Sequence, residues 1–322
     1  MIPIWLCIVP PPKAGEQYER TAILYHQQYT SKLGDIICDE RSLLAMAVGF
    51  DTNISEHDFL SLVNFVKSGY GIDLEGKQFI VQSRLANYIA DCGFRNFSDY
   101  LEAVFDDTSG REVANLINRL TTNHTYFMRE SEHFDHFREV FLPQAEKNVK
   151  DHDLRIWSAG CSFGNEPYNL AMCLDEYFGF RQREWDLKIL ATDISFNALR
   201  SASRGVYTET ALEALPDDWR RRYFEKRSHG LYQVKDSLRS KVVFKYHNLM
   251  EEIAFKKKFD LILCRNVMIY FDDDTKSQLC RRFYDATEDG GYLYIGHAES
   301  APADMPYVKE KPAVYRKEVS ST

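Results

Sequence analysis

LRIWSAGCSFGNEPY, residues Leu154 to Tyr168, is the stretch whose reading decides the fold. Leu154, Ile156 and Trp157 form a short apolar run suited to a buried strand. Gly160 and Gly164 then bracket a loop in which the backbone can turn sharply and approach a ligand closely. Pro167 suits the first turn of a helix whose apolar positions are Leu170, Ala171, Leu174 and Phe178. Strand, glycine loop and helix start together predict a nucleotide-type pocket at the carboxyl end of a strand in an α/β domain.

The loop reads G-x-x-x-G and lacks the G-x-G-x-x-G fingerprint of dinucleotide binders, which argues against a nicotinamide dehydrogenase. Glu166 stands where a phosphate binder presents bare amides, and its charge near a helix N-terminus would repel a pyrophosphate. Further on, LKILATDIS reads as a second strand ending at Asp193, with Ser195 as N-cap of the next helix. Alone, Asp193 could be a turn residue; after a second strand it is suited to two ribose hydroxyls. A nucleoside without phosphates points to S-adenosylmethionine.

Working outward, 322 residues are enough for two domains and a sizeable core. A composition of 44% apolar and 27% charged residues is that of an ordinary soluble globular protein, and a net charge of -8 gives no footprint for nucleic acid. The seven cysteines lack C-x-x-C spacing, which fits reduced cytosolic thiols; no structural zinc is expected. The opening MIPIWLCIVPPPK is too short to span a bilayer and lacks the layout of a signal peptide. Residues 1–52 read as an extension of unknown role, with a helical turn or two possible in ERTAILYHQQY. Organised sequence begins directly after Met46, which makes that residue a candidate translation start.

Residues 53–145 read as a helical domain and linker. Ser55 with Asp58 resembles a capping box, followed by the stripe Phe59, Leu62, Val63 and Val66 and a stop at Gly69 and Gly71. Helices are predicted over Lys77–Ala90, from Ser98 through Phe105, and over Arg111–Leu120. In LTTNHTYFMRESEHF, residues 120–134, threonines and asparagine compete with the helix for backbone hydrogen bonds, so a break is expected. This segment is either an ordinary polar linker or a strap whose side chains face a ligand. His133 and His136 form H-x-x-H with no third ligand evident, and are expected on a helix surface.

Residues 146–319 read as the catalytic domain. LYQVKD and VVFKYH alternate in polarity and predict a small antiparallel β-subdomain inserted near residues 224–246. Arg220, Arg221, Arg222, Lys226 and Arg227 suit a solvated face or a docking patch for an acidic partner. FDLILCRNVMIYF supplies the fourth core strand, with Arg265 and Asn266 at the end where ligands bind. A helix near Asp274–Thr287, a turn at Gly290-Gly291, and strands at YLYIG and VYRK complete the chain.

LTTNHTYFMRE, WSAGCSFGNEPY, ATDIS, HNL and FDLILCRNVMIYF together resemble the CheR family of chemotaxis-receptor glutamate methyltransferases, in order, over residues 55–317. The resemblance implies a class I S-adenosylmethionine-dependent methyltransferase (Rossmann-like) α/β domain, preceded by a helical domain and carrying a small inserted antiparallel β-subdomain. It implies S-adenosyl-L-methionine as cofactor, held by Asn123, Thr125, Arg129, Glu166, Asp193, Asn248, Leu249, Arg265 and Asn266. Arg129 and Tyr270 are the candidate catalytic residues, Tyr270 belonging either to the pocket wall or to the core; no metal is implied.

The implied acceptor is a side-chain glutamate on the cytoplasmic domains of methyl-accepting chemotaxis receptors, and the implied location is cytoplasmic, without membrane insertion. Glutamate is already ionised at neutral pH, with an ordinary pKa of about 4.3, so positioning groups are expected in place of a strong base. Relatives that dock on a receptor's C-terminal pentapeptide have a longer hairpin loop than EKRSHGLYQV offers, which disfavours such tethering. Arg84 is expected to face the receptor without touching the cofactor. The alternatives are a methyltransferase with another protein or small-molecule acceptor, and a non-catalytic cofactor-sensing regulator on the same fold.

Overall fold

The computed structural model describes residues 51–319. The expectations for an N-terminal helical turn and a start at Met46 lie outside the described residues. The helical domain contains α1 (Glu56–Tyr70), α2 (Gln78–Asp91), α3 (Phe97–Phe105) and α4 (Arg111–Leu120). Ser55 caps α1, its hydroxyl accepting the Asp58 amide at 3.1 Å and donating to the Asp58 carboxylate at 2.7 Å. Gly71 closes the helix in the left-handed region. Asn96, not Ser98, caps α3 by accepting the Asp99 amide. Ser98 instead donates to Asp58 at 2.6 Å and ties α3 to the start of α1. Leu62, Val66, Val81, Leu85, Tyr100 and Leu116 fill the space between the helices.

After the linker, α5 (Glu132–His136) passes through a π turn at Phe137–Phe141 into α6 (Leu142–Asn148). The α/β domain then runs through β1 (Ile156–Ala159), α7 (Asn165–Phe178), β2 (Ile189–Asp193), α8 (Phe196–Arg204) and β3 (Val206–Thr208). It continues with α9 (Asp217–Tyr223), β4 (Phe224–Lys226), β5 (Leu231–Val234), α10 (Asp236–Arg239) and β6 (Val242–Tyr246). The last elements are β7 (Phe259–Cys264), α11 (Asp273–Ala286), β8 (Thr287–Ile295), β9 (Val308–Lys311) and β10 (Val314–Arg316).

The main sheet has the order β6-β2-β1-β7-β8-β10-β9. Its first five strands are parallel; β10 runs antiparallel to β8 and to β9. Because the order reverses between β1 and β7, a crevice opens at their carboxyl ends, which is the expected ligand position of such sheets. Trp157 on β1 is fully buried, donates to Thr192 Oγ1 at 2.9 Å, and meets Phe283 of α11 edge to face. Truncating a core residue of that size costs about 3–5 kcal/mol.

Two elements depart from the sequence reading. The small antiparallel sheet is β3-β5-β4, bounded by Val206 and Val234, and VVFKY is not part of it. That segment is β6, paired in parallel with β2 from Ile189↔Val242 to Asp193↔Tyr246. An edge strand covered only in part alternates like a hairpin strand, and the helical turn α10 occupies the supposed loop. The pair Gly290-Gly291 lies inside β8, not in a turn before it. Gly290 has φ +80°, and the β7–β8 register shifts between Phe259 and Leu261, so the glycines make a bulge. A Cβ on Gly291 would lie 2.9 Å from the Asp260 carbonyl oxygen.

Candidate active site

The carboxyl ends of β6, β2, β1 and β7 line one cleft, roofed by the 120–129 linker and by the turn after α1. Asn123, Thr125, Arg129, Glu166, Asp193, Asn248, Leu249, Arg265, Asn266 and Tyr270 all line it. The strap alternative for the linker therefore describes its position, with Phe127 buried beneath it against Tyr207 and Phe224. The loop after β1 needs its first glycine. Gly160 has φ +83°, and a Cβ there would lie 2.4 Å from Val267 Cγ2.

Asp193 is 7% exposed, and its carboxylate accepts the Ser162 and Ser195 amides at 2.8 Å each. Burial pushes its pKa up, offset only in part by those amides and by Ile194. Ser195 caps α8 as expected and also donates to Asn118 of the helical domain.

The crevice end of the cleft is charged. Arg265, only 3% exposed at its side chain, donates to Glu166 Oε2 at 2.9 Å and to Glu130 Oε2 at 3.1 Å. It also donates to the Arg129 carbonyl, and Ser158 donates to Glu166 Oε1 at 2.7 Å. Burial opposes ionisation of Glu130, but Arg265, Asn266 and the His297 amide outweigh it and hold its carboxyl below the ordinary range. Arg129 donates to the His124 carbonyl at 2.7 Å and lies over the Tyr126 ring.

Asn266 has φ 58°, a conformation held by Glu299, whose carboxylate accepts the Asn266 amide at 2.9 Å and the Ile269 amide at 3.2 Å. Tyr270, at the end of that turn, is half-buried in the cleft wall, where its carbonyl accepts the Asp73 amide.

The opposite end is apolar. Ile194 and Leu249 line it together with Tyr70 and Ile72 of the helical domain, the four sharing one apolar cluster, and His247 lines it as well. The Asn248 side chain is engaged between domains, donating to the Gly69 carbonyl at 2.8 Å and accepting the Met250 amide at 3.0 Å. Arg84 is not part of the cleft lining. It donates to the Leu120 carbonyl at 2.5 Å and to Thr122 Oγ1 at 2.8 Å, and so holds the linker over the cleft.

His133 and His136 are buried, each 1% exposed, not on the surface as expected. They diverge: His136 meets the Tyr294 hydroxyl at 2.6 Å and Glu310 at 3.2 Å, whereas His133 stacks on Tyr294. The sequence showed no third ligand for the pair, but Glu130 and His297 come within 4.8 Å of His133. Glu130 is already neutralised there by Arg265, whose guanidinium opposes a second cation. Burial, then Arg265, pushes the His133 pKa down to about 3. Of the basic residues near α9, Arg222 pairs with Asp175 and Glu176, Arg227 with Glu225, and Arg220 with Asp217.

A buried carboxylate at the end of β2, an apolar slot beyond it, and a zwitterionic end at the crevice form a donor set that fits a nucleoside carrying an amino acid. Glu166 in the first turn of α7 is hostile to a phosphate there. Fold and cleft together define an S-adenosylmethionine-dependent methyltransferase. Residues 123–314 match the CheR methyltransferase SAM-binding domain, and residues 57–121 match the CheR methyltransferase all-alpha domain.

The chain is 41% identical to the chemotaxis protein methyltransferase of Borreliella burgdorferi, over 82% of this chain and 95% of that one. It is 37% identical to a probable chemotaxis protein methyltransferase of Rhizobium etli (76% and 92%), and 32% identical to chemotaxis protein methyltransferase Cher2 of Pseudomonas putida (76% and 90%). The chain belongs to the CheR methyltransferase family.

Proposed function

We propose that this protein transfers the methyl group of S-adenosylmethionine to glutamate side chains on the cytoplasmic domains of methyl-accepting chemotaxis receptors, forming glutamyl methyl esters. The observation that carries the reading is the convergence on one cleft of all the site residues anticipated from the motifs. When bound, the cofactor supplies an electrophilic methyl on a sulfonium sulfur. Asp193 takes the ribose hydroxyls, and Ile194 and Leu249 pack on the base. Glu166, held by Arg265 and Ser158, accepts from the ammonium, while Asn266 steadies the neighbouring Glu130. Asn123 and Thr125 close the linker side, and Asn248 supports the base end through its bond to Gly69.

The acceptor carboxylate arrives ionised, so no residue needs to remove a proton from it. Arg129 orients that carboxylate through its planar fork, and Tyr270 forms the wall against which it lies. Over-binding the carboxylate would be unproductive, because its charge is neutralised on the way to the transition state. The enzyme acts in the cytoplasm, where receptor methylation sites are reached without insertion; no helix among the described residues is long and apolar enough to cross a membrane.

The β4–β5 connection is brief, with a single 3-10 turn at Ser228–Gly230, and supports recognition of the receptor's helical bundle without a tethered pentapeptide. The test is methyl transfer from labelled S-adenosylmethionine to receptor-containing membranes of the source cell, with Asp193→Ala and Arg129→Ala as controls. Base-labile label on receptor-sized chains, lost in both variants, is expected. Cofactor binding without receptor labelling would reject this acceptor and favour another protein or a small molecule.

A further inference from the structure

Asn169 lies on α7, one turn beyond Glu166 and on the same face. It is fully buried and lines the cleft. Neither its amide nitrogen nor its amide oxygen has a hydrogen-bond partner, whereas the other unpartnered side-chain atoms of the cleft lining are one nitrogen each on His247 and Arg265. The neighbouring positions of the helix, Leu170, Ala171, Met172, Cys173 and Leu174, are buried and apolar. Leucine would fill a similar volume with no polar group to satisfy, whereas an amide buried unpaired bears the full desolvation cost of each unmet group. Such a side chain is kept where something enters the cavity to meet it.

We propose that Asn169 is a binding residue for the amino-acid end of the cofactor. That end is a zwitterion and needs acceptors for its ammonium and donors for its carboxylate. Glu166 offers acceptors only, and the guanidinium groups of Arg129 and Arg265 offer donors only. A carboxamide carries one of each, so Asn169 accepts from the ammonium through Oδ1 and donates to the carboxylate through Nδ2. Its position beside Glu166 fits that pairing, and the nucleoside end of the cleft, around Asp193 and Leu249, has no need of it. The inference concerns the cofactor alone and stands separately from the acceptor proposed above.

The test compares two ligands by calorimetry. S-adenosylhomocysteine carries the amino-acid end; 5′-methylthioadenosine has the same nucleoside and thioether without it. Asn169→Leu is expected to weaken S-adenosylhomocysteine at least tenfold and to leave methylthioadenosine within twofold of wild type. Asn169→Asp keeps the shape and exchanges the donor for a second acceptor. It should also lose S-adenosylhomocysteine at least tenfold, yet bind the decarboxylated analogue, which keeps the ammonium, no worse than wild type. Parallel loss of both ligands in the two variants would mark a merely structural role and overturn the proposal. S-adenosylhomocysteine affinity within twofold of wild type in Asn169→Leu would overturn it as well.

Discussion

Arg265 Nη1 stands 2.9 Å from Glu166 Oε2, and the two side chains are 3% and 14% exposed. The same guanidinium also pairs with Glu130, so one buried cation holds two carboxylates, one from α7 and one from the linker. Removing the cation leaves Glu166 with Ser158, and Glu130 with Asn266 and the His297 amide, but neither largely buried carboxylate with a countercharge. Arg265→Ala is therefore expected to lose about 3–5 kcal/mol in chemical denaturation. A loss below about 1 kcal/mol would show that water reaches the pair and that the linker is held by other contacts.

Asp193 titrates above the ordinary carboxyl range because of its burial. If its ionised form accepts ribose hydroxyls, cofactor affinity falls as pH is lowered through that raised value. Asp193→Asn should bind S-adenosylhomocysteine at least about tenfold more weakly, the cost of one charge-assisted hydrogen bond. Its affinity should no longer change with pH over the acid range, which a binding series at several pH values would check.

His133 has a folded pKa of about 3, below its ordinary 6.5. Between those values the unfolded chain binds the extra proton, so stability rises with pH and falls on acidification. The expected slope is up to about 1.4 kcal/mol per pH unit for this one group. His133→Phe, which keeps the stack on Tyr294, should flatten the pH dependence of unfolding below pH 6.5 by that amount. An unchanged slope would assign the acid sensitivity elsewhere.

Gly160→Ala places a methyl group against Val267 at a positive φ. The combined strain is expected to cost about 1–3 kcal/mol and to weaken cofactor binding. Adding Val267→Ala should recover the part due to the clash and leave the part due to the backbone. Full recovery would mean that the turn tolerates a side chain.

Arg84→Ala should weaken S-adenosylhomocysteine about threefold to tenfold, because Leu120 and Thr122 lose a charged donor and the linker loosens over the cleft. Reading Arg84 from the sequence as a receptor-facing residue would predict no change in that binding constant.

Much of the site was legible because its residues sit at strand ends and helix starts, where spacing and chemistry coincide. Gly160, Glu166, Asp193 and Arg265 each follow a recognisable apolar run. Ser55 and Asp58 similarly announce α1. What escaped detection depends on tertiary neighbours. Glu130 and Glu299 look like surface acids until Arg265 and the turn at Asn266 are folded beside them. His133 and His136 have helical spacing that says nothing about burial, which Tyr294 and Glu310 decide. The sequence of β6 reads as a strand of the small sheet because an edge strand and a hairpin strand share one polarity pattern. Asn169 carries no motif signal, since its interest lies in hydrogen bonds that it does not make.

The bonds from Asn248 to the Gly69 carbonyl and from the Asp73 amide to the Tyr270 carbonyl grip the corner after α1 from both sides of the cleft. Ile72, held between them, is thus at once part of the helical domain and part of the cleft wall. A ligand resting on Ile72 would therefore touch both domains at once. By linkage, a partner that shifted the helices would change that ligand's affinity by the same factor that the ligand changes the partner's.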